Sequence, residues 1–439
     1  MPRRRRVGCR ELLVLVEALV EAERVKPVQV AMREVFRRHG ILGHPVMRVL
    51  AAIMYKVYRF QGVLDRIVDS VAPGSSGAAR AALRLAAYIY HFDKVAGGEL
   101  GRLLESCLPG RVEGVDLDVL LRVKRLEYKP STWEELMEYR YLVPAYLVKL
   151  LRSFLPGWEV EELLEALNTP LPMGMRVNTL KASVEEVAEE LRRAGAEVLP
   201  SRAPNHLRYV GAINYFAFKP LLEGKAVPQD EPSAIAAPLL DPGPGERLVD
   251  MCAAPGGKTT HLAELSRNSA TIVALDVSPR RMTRLVILAE RTGTRVSIHP
   301  VAADARTVDS MLGAGWADKV LLDPPCSSTG VLSKHPDAKW RLTPVRLREL
   351  VERQRGLLEA AHRVLRPGGL LLYTTCSILP VEGEGNIRWF IRRHPCYEVI
   401  PLRGPYEESP WMPGAMRAWP HKHGVSGFFY ALLRKTSPC

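Results

Sequence analysis

VDMCAAPGGKTTHLAEL, residues 249–265, decides how this chain is read. Leu248, Val249 and Met251 suit a short buried strand. Cys252, Ala253, Ala254, Pro255, Gly256 and Gly257 then supply small residues and two glycines where the chain must turn tightly. Lys258, Thr259 and Thr260 open a helix that runs through Leu265. A strand, a glycine turn and a helix make a ligand site: the turn lets a ligand approach the backbone, and the helix start offers free N–H groups. The next apolar run, Thr271–Leu275, ends at Asp276. That acid lies about twenty residues beyond Gly256, the spacing at which a carboxylate commonly holds ribose hydroxyls in doubly wound folds. A phosphate loop is excluded despite Gly-Lys-Thr, because it needs glycine where Cys252 stands. A dinucleotide fingerprint is excluded because G-x-G-x-x-G is absent. A nucleoside cofactor without a pyrophosphate fits the turn, and S-adenosylmethionine is such a molecule.

Outward from this stretch, apolar runs at 247–251, 271–276, 296–301, 320–323, 370–375, 397–400 and 428–433 alternate with helical patterns. One such helix starts at Ser278 as N-cap with Pro279 in its first turn. Alternation of this kind predicts a mostly parallel sheet covered on both faces, over residues 226–439. Before it, residues 131–225 read as a small α/β module: Met173–Leu180 alternates as a strand, Val184–Ala194 is an amphipathic helix, and Leu207–Val210 is a short strand. Thr132 is a candidate N-cap for a helix from Trp133. Residues 1–130 carry only helical periodicity, with stripes at Leu12, Val16, Leu19, Val20 and at Val46, Leu50, Ile53, Met54, Val57. They predict an all-helical domain.

The 439 residues suit two to three domains, at 47% hydrophobic and 25% charged. A net charge of +13 favours a polyanion, with nucleic acid ahead of a membrane surface. Arg3–Arg6 ahead of Leu12–Val20 superficially resembles a leader, but Glu11, Glu17 and Glu21 interrupt the apolar run, so it reads as a basic tail and an amphipathic helix. No membrane span is expected. Seven scattered cysteines without C-x-x-C argue against a disulfide framework and a zinc site, and for the reduced cytoplasm. Scarce Asn and Gln beside abundant Arg and Glu suit a thermophilic source. No metal and a monomeric chain are expected.

In an open parallel sheet, ligands bind at the carboxyl ends of the strands. Three such ends carry unusual residues: Asp304; Asp323-Pro324-Pro325-Cys326 before Ser-Ser-Thr-Gly; and Thr374-Thr375-Cys376-Ser377. One cysteine at a strand end is usually a small buried filler. Two at ligand-side ends point instead to a nucleophilic thiolate. Cys252 lies in the cofactor turn, where its side chain reads as packing. Enzymes that methylate exocyclic amines place an aromatic residue where Cys326 stands, so a cysteine there points to carbon as methyl acceptor. Carbon 5 of a pyrimidine becomes nucleophilic only after a thiolate adds to carbon 6. That chemistry needs a thiol, an acid partner for ring nitrogen 3, and a base for the carbon 5 proton. Arg346, Arg348, Arg353 and Arg355, interleaved with Glu349 and Glu352, read as a solvated helix face. Trp340 reads equally as a loop anchor or an RNA-stacking ring.

RVNTLK (176–181), QDEPSA (229–234), DMCAAPGGKTT (250–260), LDPPCSSTGV (322–331), HPDAKW (335–340), YTTCSILPVEGE (373–384) and GFFYALL (427–433) follow in order. In these blocks the chain resembles the Nop/Sun family of RNA cytosine-5 methyltransferases. The resemblance implies a Rossmann-like class I methyltransferase sheet preceded by an RNA-recognition-like module. It implies Cys376 as nucleophile, Cys326 as the residue that releases product, and Asp323 as the acid at the cytosine edge that also lies near the cofactor. Lys258 resembles the lysine near both ligands, Asp276 the ribose acid and Asp304 the adenine-side acid. Gly383 and Gly385 stand where relatives often carry acidic or amide residues, which bears on the loop's shape. The helical domain is similar to the antitermination factor NusB, a pairing that resembles the RsmB branch and implies ribosomal RNA as substrate. The alternatives are the same chemistry on transfer RNA and a non-catalytic RNA-binding assembly factor. The intact cysteines and glycine turn argue against the last.

Overall fold

The computed structural model describes residues 7–24, 28–93, 97–334 and 339–437. The Arg3–Arg6 tail, Cys439 and His335–Ala338 of the HPDAKW block lie outside the described residues. The chain divides into two compact units, Met1–Leu164 with His335–Arg341, and Glu165–Lys334 with Leu342–Cys439.

In the first unit, helices Cys9–Arg24, Val28–Arg38, Val46–Arg59, Gln61–Val71, Gly77–His91, Gly97–Cys107 and Leu117–Arg125 share one apolar core. Leu12, Val16 and Leu19 from the first stripe and Val46, Leu50, Ile53, Met54 and Val57 from the second are all buried in it. Asp116 caps the Leu117–Arg125 helix through Val119 N, and Thr132 caps Trp133–Tyr141 through Glu135 N. Trp340 packs against Gly62, where an added Cβ would meet its ring at 2.2 Å, so this tryptophan is an anchor.

One expectation fails here. Cys9 and Cys107 form a disulfide that closes 98 residues, and Cys396 is also disulfide-bonded. Cys9 begins the first helix and Cys107 ends the sixth, so only helix packing brings them together; no short spacing announces the pair. A cross-link over about 100 residues removes unfolded-state entropy worth roughly 4–5 kcal/mol in the chain-entropy model. Intracellular proteins of hyperthermophiles are a known exception to the reduced-cytosol rule.

The second unit holds two sheets. Strands β1 (Met173–Val177), β2 (Glu197–Leu199), β3 (His206–Val210) and β4 (Ala226–Pro228) form an antiparallel sheet in the order 2-3-1-4. Helix Val184–Arg193, started by a Ser183–Glu186 capping box, adds Val187 and Leu191 to a core with Met175, Val177, Leu207 and Tyr209. The larger, nine-stranded sheet contains β5 (Arg247–Asp250), β6 (Thr271–Asp276), β7 (Ile298–Ala302), β8 (Ala317–Leu322), β9 (Leu365–Thr375), β10 (Tyr397–Ile400), β11 (Glu407–Ser409), β12 (Met412–Ala418) and β13 (Phe428–Lys435). Its order is 11-12-13-9-8-5-6-7, with β10 on β13. The strands β7, β6, β5, β8 and β9 run parallel, and β13 pairs antiparallel to β9. Strand order reverses between β5 and β8, which opens a crevice at their carboxyl ends. Val296, read as strand, is instead an exposed residue of a short 3-10 turn. Among the described residues no helix is long and apolar enough to cross a membrane, and no group of three metal-ligating side chains occurs.

Candidate active site

The glycine turn leaves the end of β5 beneath the crevice. Asp250 is fully buried there, accepting from Thr259 Oγ1 at 2.7 Å, and burial pushes its pKa up to about 6. Ala254–Pro255 is a cis peptide, and Gly256 caps the helix Gly257–Leu265 with φ +108°. A Cβ on Gly256 would lie 3.0 Å from Leu285 Cγ and 3.2 Å from its Cα, so both the backbone angle and the next helix demand glycine. Gly257 has room, its nearest neighbour being Gln229 Nε2 at 3.8 Å. Burial raises the Cys252 thiol well above its ordinary value, which suits a packing residue.

Beside the turn lies a cavity of about 280 Å³. Met251, Val277, Ala305 and Leu357 give it apolar walls, while Asp276 and Asp304 set carboxylates at its rim. Asp276 accepts from Ser278 N at 2.9 Å and pairs with Arg281 at 2.8 Å. Asp304 caps a short turn through Arg306 N, and its hydrogen bond from the Arg306 side chain holds its pKa down. A second cavity of about 260 Å³ shares Cys252 and is lined by Asp230, Ser233, Lys258 and Asp323. Asp230 Oδ2 faces no donor among the described residues, a buried acceptor suited to an ammonium or amine. Apolar walls, two acids and an orphaned acceptor fit an adenosine joined to an amino acid.

Lys258 Nζ meets Asp323 Oδ2 at 2.6 Å. Burial, the largest single influence, would lower the lysine's pKa, but Asp323 together with Cys376 and Asp250 turns the net shift upward. Cys326 and Cys376 stand at the ends of β8 and β9 with their sulfurs 3.3 Å apart. The hydrogen bond with Cys376, then burial, raises the Cys326 thiol well above its ordinary range. The structure thus sets Cys252, Lys258 and Asp323 on one cavity, with Cys376 near enough to Lys258 and Cys326 near enough to Asp323 to feel their charge, and Asp276 and Asp304 on the adjoining cavity.

A model described as 16S rRNA methyltransferase RsmB/F matches residues 237–434, and the ferredoxin-like domain of RsmF/B-like methyltransferases matches 143–212. Ribosomal RNA small subunit methyltransferase B of Shewanella oneidensis is 30% identical over 400 residues, spanning 89% of this chain and 91% of that one. The enzyme of that name from Sodalis glossinidius is 35% identical over 307 residues, spanning 70% and 69%. This chain belongs to the RsmB/F methyltransferase family. Among solved structures, this RsmB/F member is similar to PH0851, with TM-score 0.82 and 38% identity over 98% of this chain and 99% of that one. It is also similar to NSun6 from Pyrococcus horikoshii, with TM-score 0.61 and 27% identity over 67% and 99%, a protein solved with the S-adenosylmethionine analogue SFG. The RsmB/F member is an S-adenosylmethionine-dependent RNA methyltransferase.

Three features of the RsmB/F site escaped the sequence reading. Arg353 is exposed, as the solvated-face reading expects, yet it also lines the 280 Å³ cavity. Arg355 bonds Asn386 Oδ1 at 3.2 Å and lies over Trp389, because a 21-residue helix packed on a sheet turns more than one face inward. Glu382, which the sequence reading did not single out, is completely buried behind both cysteines. The signal available was the serine that follows each cysteine. Gly383 is explained as well: a Cβ there would sit 2.8 Å from the Phe429 ring and 3.0 Å from Arg417.

If Asp276 holds the cofactor ribose, Asp276→Ala should weaken S-adenosylmethionine binding by roughly 1.5–3 kcal/mol, the worth of a charge-assisted hydrogen bond. Arg281, its partner, is half exposed and can re-solvate, so the fold should survive. Titration calorimetry showing unchanged affinity would remove Asp276 from the site.

Proposed function

We propose that this RsmB/F member makes 5-methylcytosine in small-subunit ribosomal RNA by covalent catalysis. The observation that carries the reading is the pair of sulfurs, 3.3 Å apart, beside the Lys258–Asp323 ion pair. When bound, S-adenosylmethionine supplies an electrophilic methyl group. The Cys376 thiolate adds to carbon 6 of a cytosine turned out of its stack. Asp323 meets the edge at ring nitrogen 3, held in place by Lys258. Carbon 5 then takes the methyl group, the Cys326 thiolate removes the carbon 5 proton, carbon 5=carbon 6 reforms, and the bond to Cys376 breaks to return its thiolate. Gly256 and the turn Cys252–Lys258 cradle the cofactor, with Asp276 at its ribose and Asp304 at its adenine. Residues 1–130 serve as an RNA handle, 131–225 as a second RNA-facing module, and 226–439 as the catalytic domain. The chain acts as a monomer in the cytoplasm. The names of the bacterial relatives support ribosomal RNA.

The test is incubation of the full chain with S-adenosylmethionine and either small-subunit ribosomal RNA or transfer RNA, followed by bisulfite sequencing. New 5-methylcytosine in the ribosomal RNA alone is expected. Methylation confined to transfer RNA would reassign the substrate, and methyl groups found off carbon 5 would overturn the chemistry.

A further inference from the structure

The two cysteines sit on separate loops, yet each is followed by a serine, and both serines reach one carboxylate. Glu382 Oε1 accepts from Ser327 N and Gln354 Nε2, each at 2.9 Å. Glu382 Oε2 accepts from Ser327 Oγ at 2.5 Å and Ser377 Oγ at 2.6 Å. An ionised carboxylate offers about four lone-pair sites, and four donors occupy them. The loops have further ties. Thr329 Oγ1 lies 3.1 Å from Ser377 Oγ and accepts from Ile378 N at 3.2 Å. Gly330 N donates to Cys376 O at 3.0 Å, and Gln354 Nε2 also donates to Pro325 O at 2.9 Å. No lysine or arginine bonds this carboxylate among the described residues. Its ligands are the two cysteine loops and one helix.

We propose that Glu382 is a positioning residue that sets the register of the Cys326 and Cys376 loops, so that attack and release act on one base. This rests on the covalent reading above and deepens it. Ser377 transmits the effect to the attacking sulfur, and Ser327 to the releasing one. A nucleophile displaced by about 1 Å from its line of attack loses on the order of a hundredfold in rate. The carboxylate never touches substrate. Loss of a merely structural acid would lower stability without dividing the reaction at one step or the other.

The experiment reads covalent enzyme–RNA adduct and product in single-turnover assays on the full chain. In a Cys326→Ala background, which should trap adduct, Glu382→Gln is expected to slow adduct formation by about a hundredfold. Affinity for S-adenosylmethionine should stay within about twofold, since the ribose cavity is lined by other residues. With both cysteines present, Ser377→Ala should slow adduct formation, and Ser327→Ala should let adduct accumulate by slowing release. These single-hydroxyl variants keep the test usable if Glu382→Gln folds poorly. Equal adduct rates with and without Glu382→Gln, or the same defect from both serine variants, would overturn the proposal and leave covalent catalysis standing. Absence of adduct in Cys326→Ala alone would instead overturn the covalent reading.

Discussion

Cys326→Ala is expected to yield a denaturation-resistant protein–RNA band that depends on S-adenosylmethionine, and Cys376→Ala is expected to yield none. A free thiol is only a few per cent thiolate at neutral pH, yet the thiolate is the attacking form. The two sulfurs lie 3.3 Å apart and can flank one pyrimidine ring. If Cys376 attacks, its removal abolishes both adduct and methylation. If Cys326 acts only in release, its removal still allows attack and methyl transfer, and the enzyme stays bonded to methylated RNA. The double variant should resemble Cys376→Ala. Gel electrophoresis in denaturant after incubation with labelled RNA reads the outcome. An adduct trapped by Cys376→Ala and requiring Cys326 would exchange the two roles. Turnover retained in both single variants, without adduct, would end the covalent reading.

A large loss of stability is expected at Arg176. Its guanidinium is fully buried and bonds the carboxylate of Glu264, Gln229 Oε1 at 2.8 Å and Thr260 Oγ1 at 3.0 Å. Burial draws its pKa down to about 9. Among the described residues Glu264 has only Thr179 N and Oγ1 besides, at 3.1 and 3.3 Å. Arg176→Ala strands a buried carboxylate, which costs about 3–5 kcal/mol. The double change Arg176→Met with Glu264→Leu should lose far less, because an apolar pair of similar volume has no charge to desolvate. Denaturant titration of the three proteins checks this, and a loss below about 1 kcal/mol in Arg176→Ala would mean that the pair is solvent-relaxed.

What was legible in the sequence was local. The turn at 252–257 shows its glycines and its helix start within a few residues, and Thr271–Asp276 and Tyr397–Ile400 were read with the bounds that the structure gives. Strand order was not legible, because alternation predicts parallel strands without saying that β13 inserts antiparallel beside β9. Strands Glu407–Ser409 and Met412–Ala418 were missed, since MPGAMRA holds proline, glycine and no β-branched residue. RVNTLK was recognisable as a block, but its work depends on distant backbone. Asn178 Nδ2 donates to Gly224 O and Thr292 O, both at 2.8 Å, and Lys181 Nζ bonds Glu223 O and Arg291 O. Glu382 and Cys9–Cys107 failed to show for the same reason: their partners are neighbours only after folding.

Those ties at Arg176, Asn178 and Lys181 bear on how lineages with this architecture exchange parts. A recombination breakpoint placed between the four-stranded sheet and the nine-stranded one would separate Arg176 from Glu264 and Asn178 from Thr292, and a foreign module would arrive with its charges unmatched. A breakpoint ahead of Glu165 cuts none of these bonds. The small sheet and the nine-stranded sheet are therefore expected to tolerate exchange better together than apart.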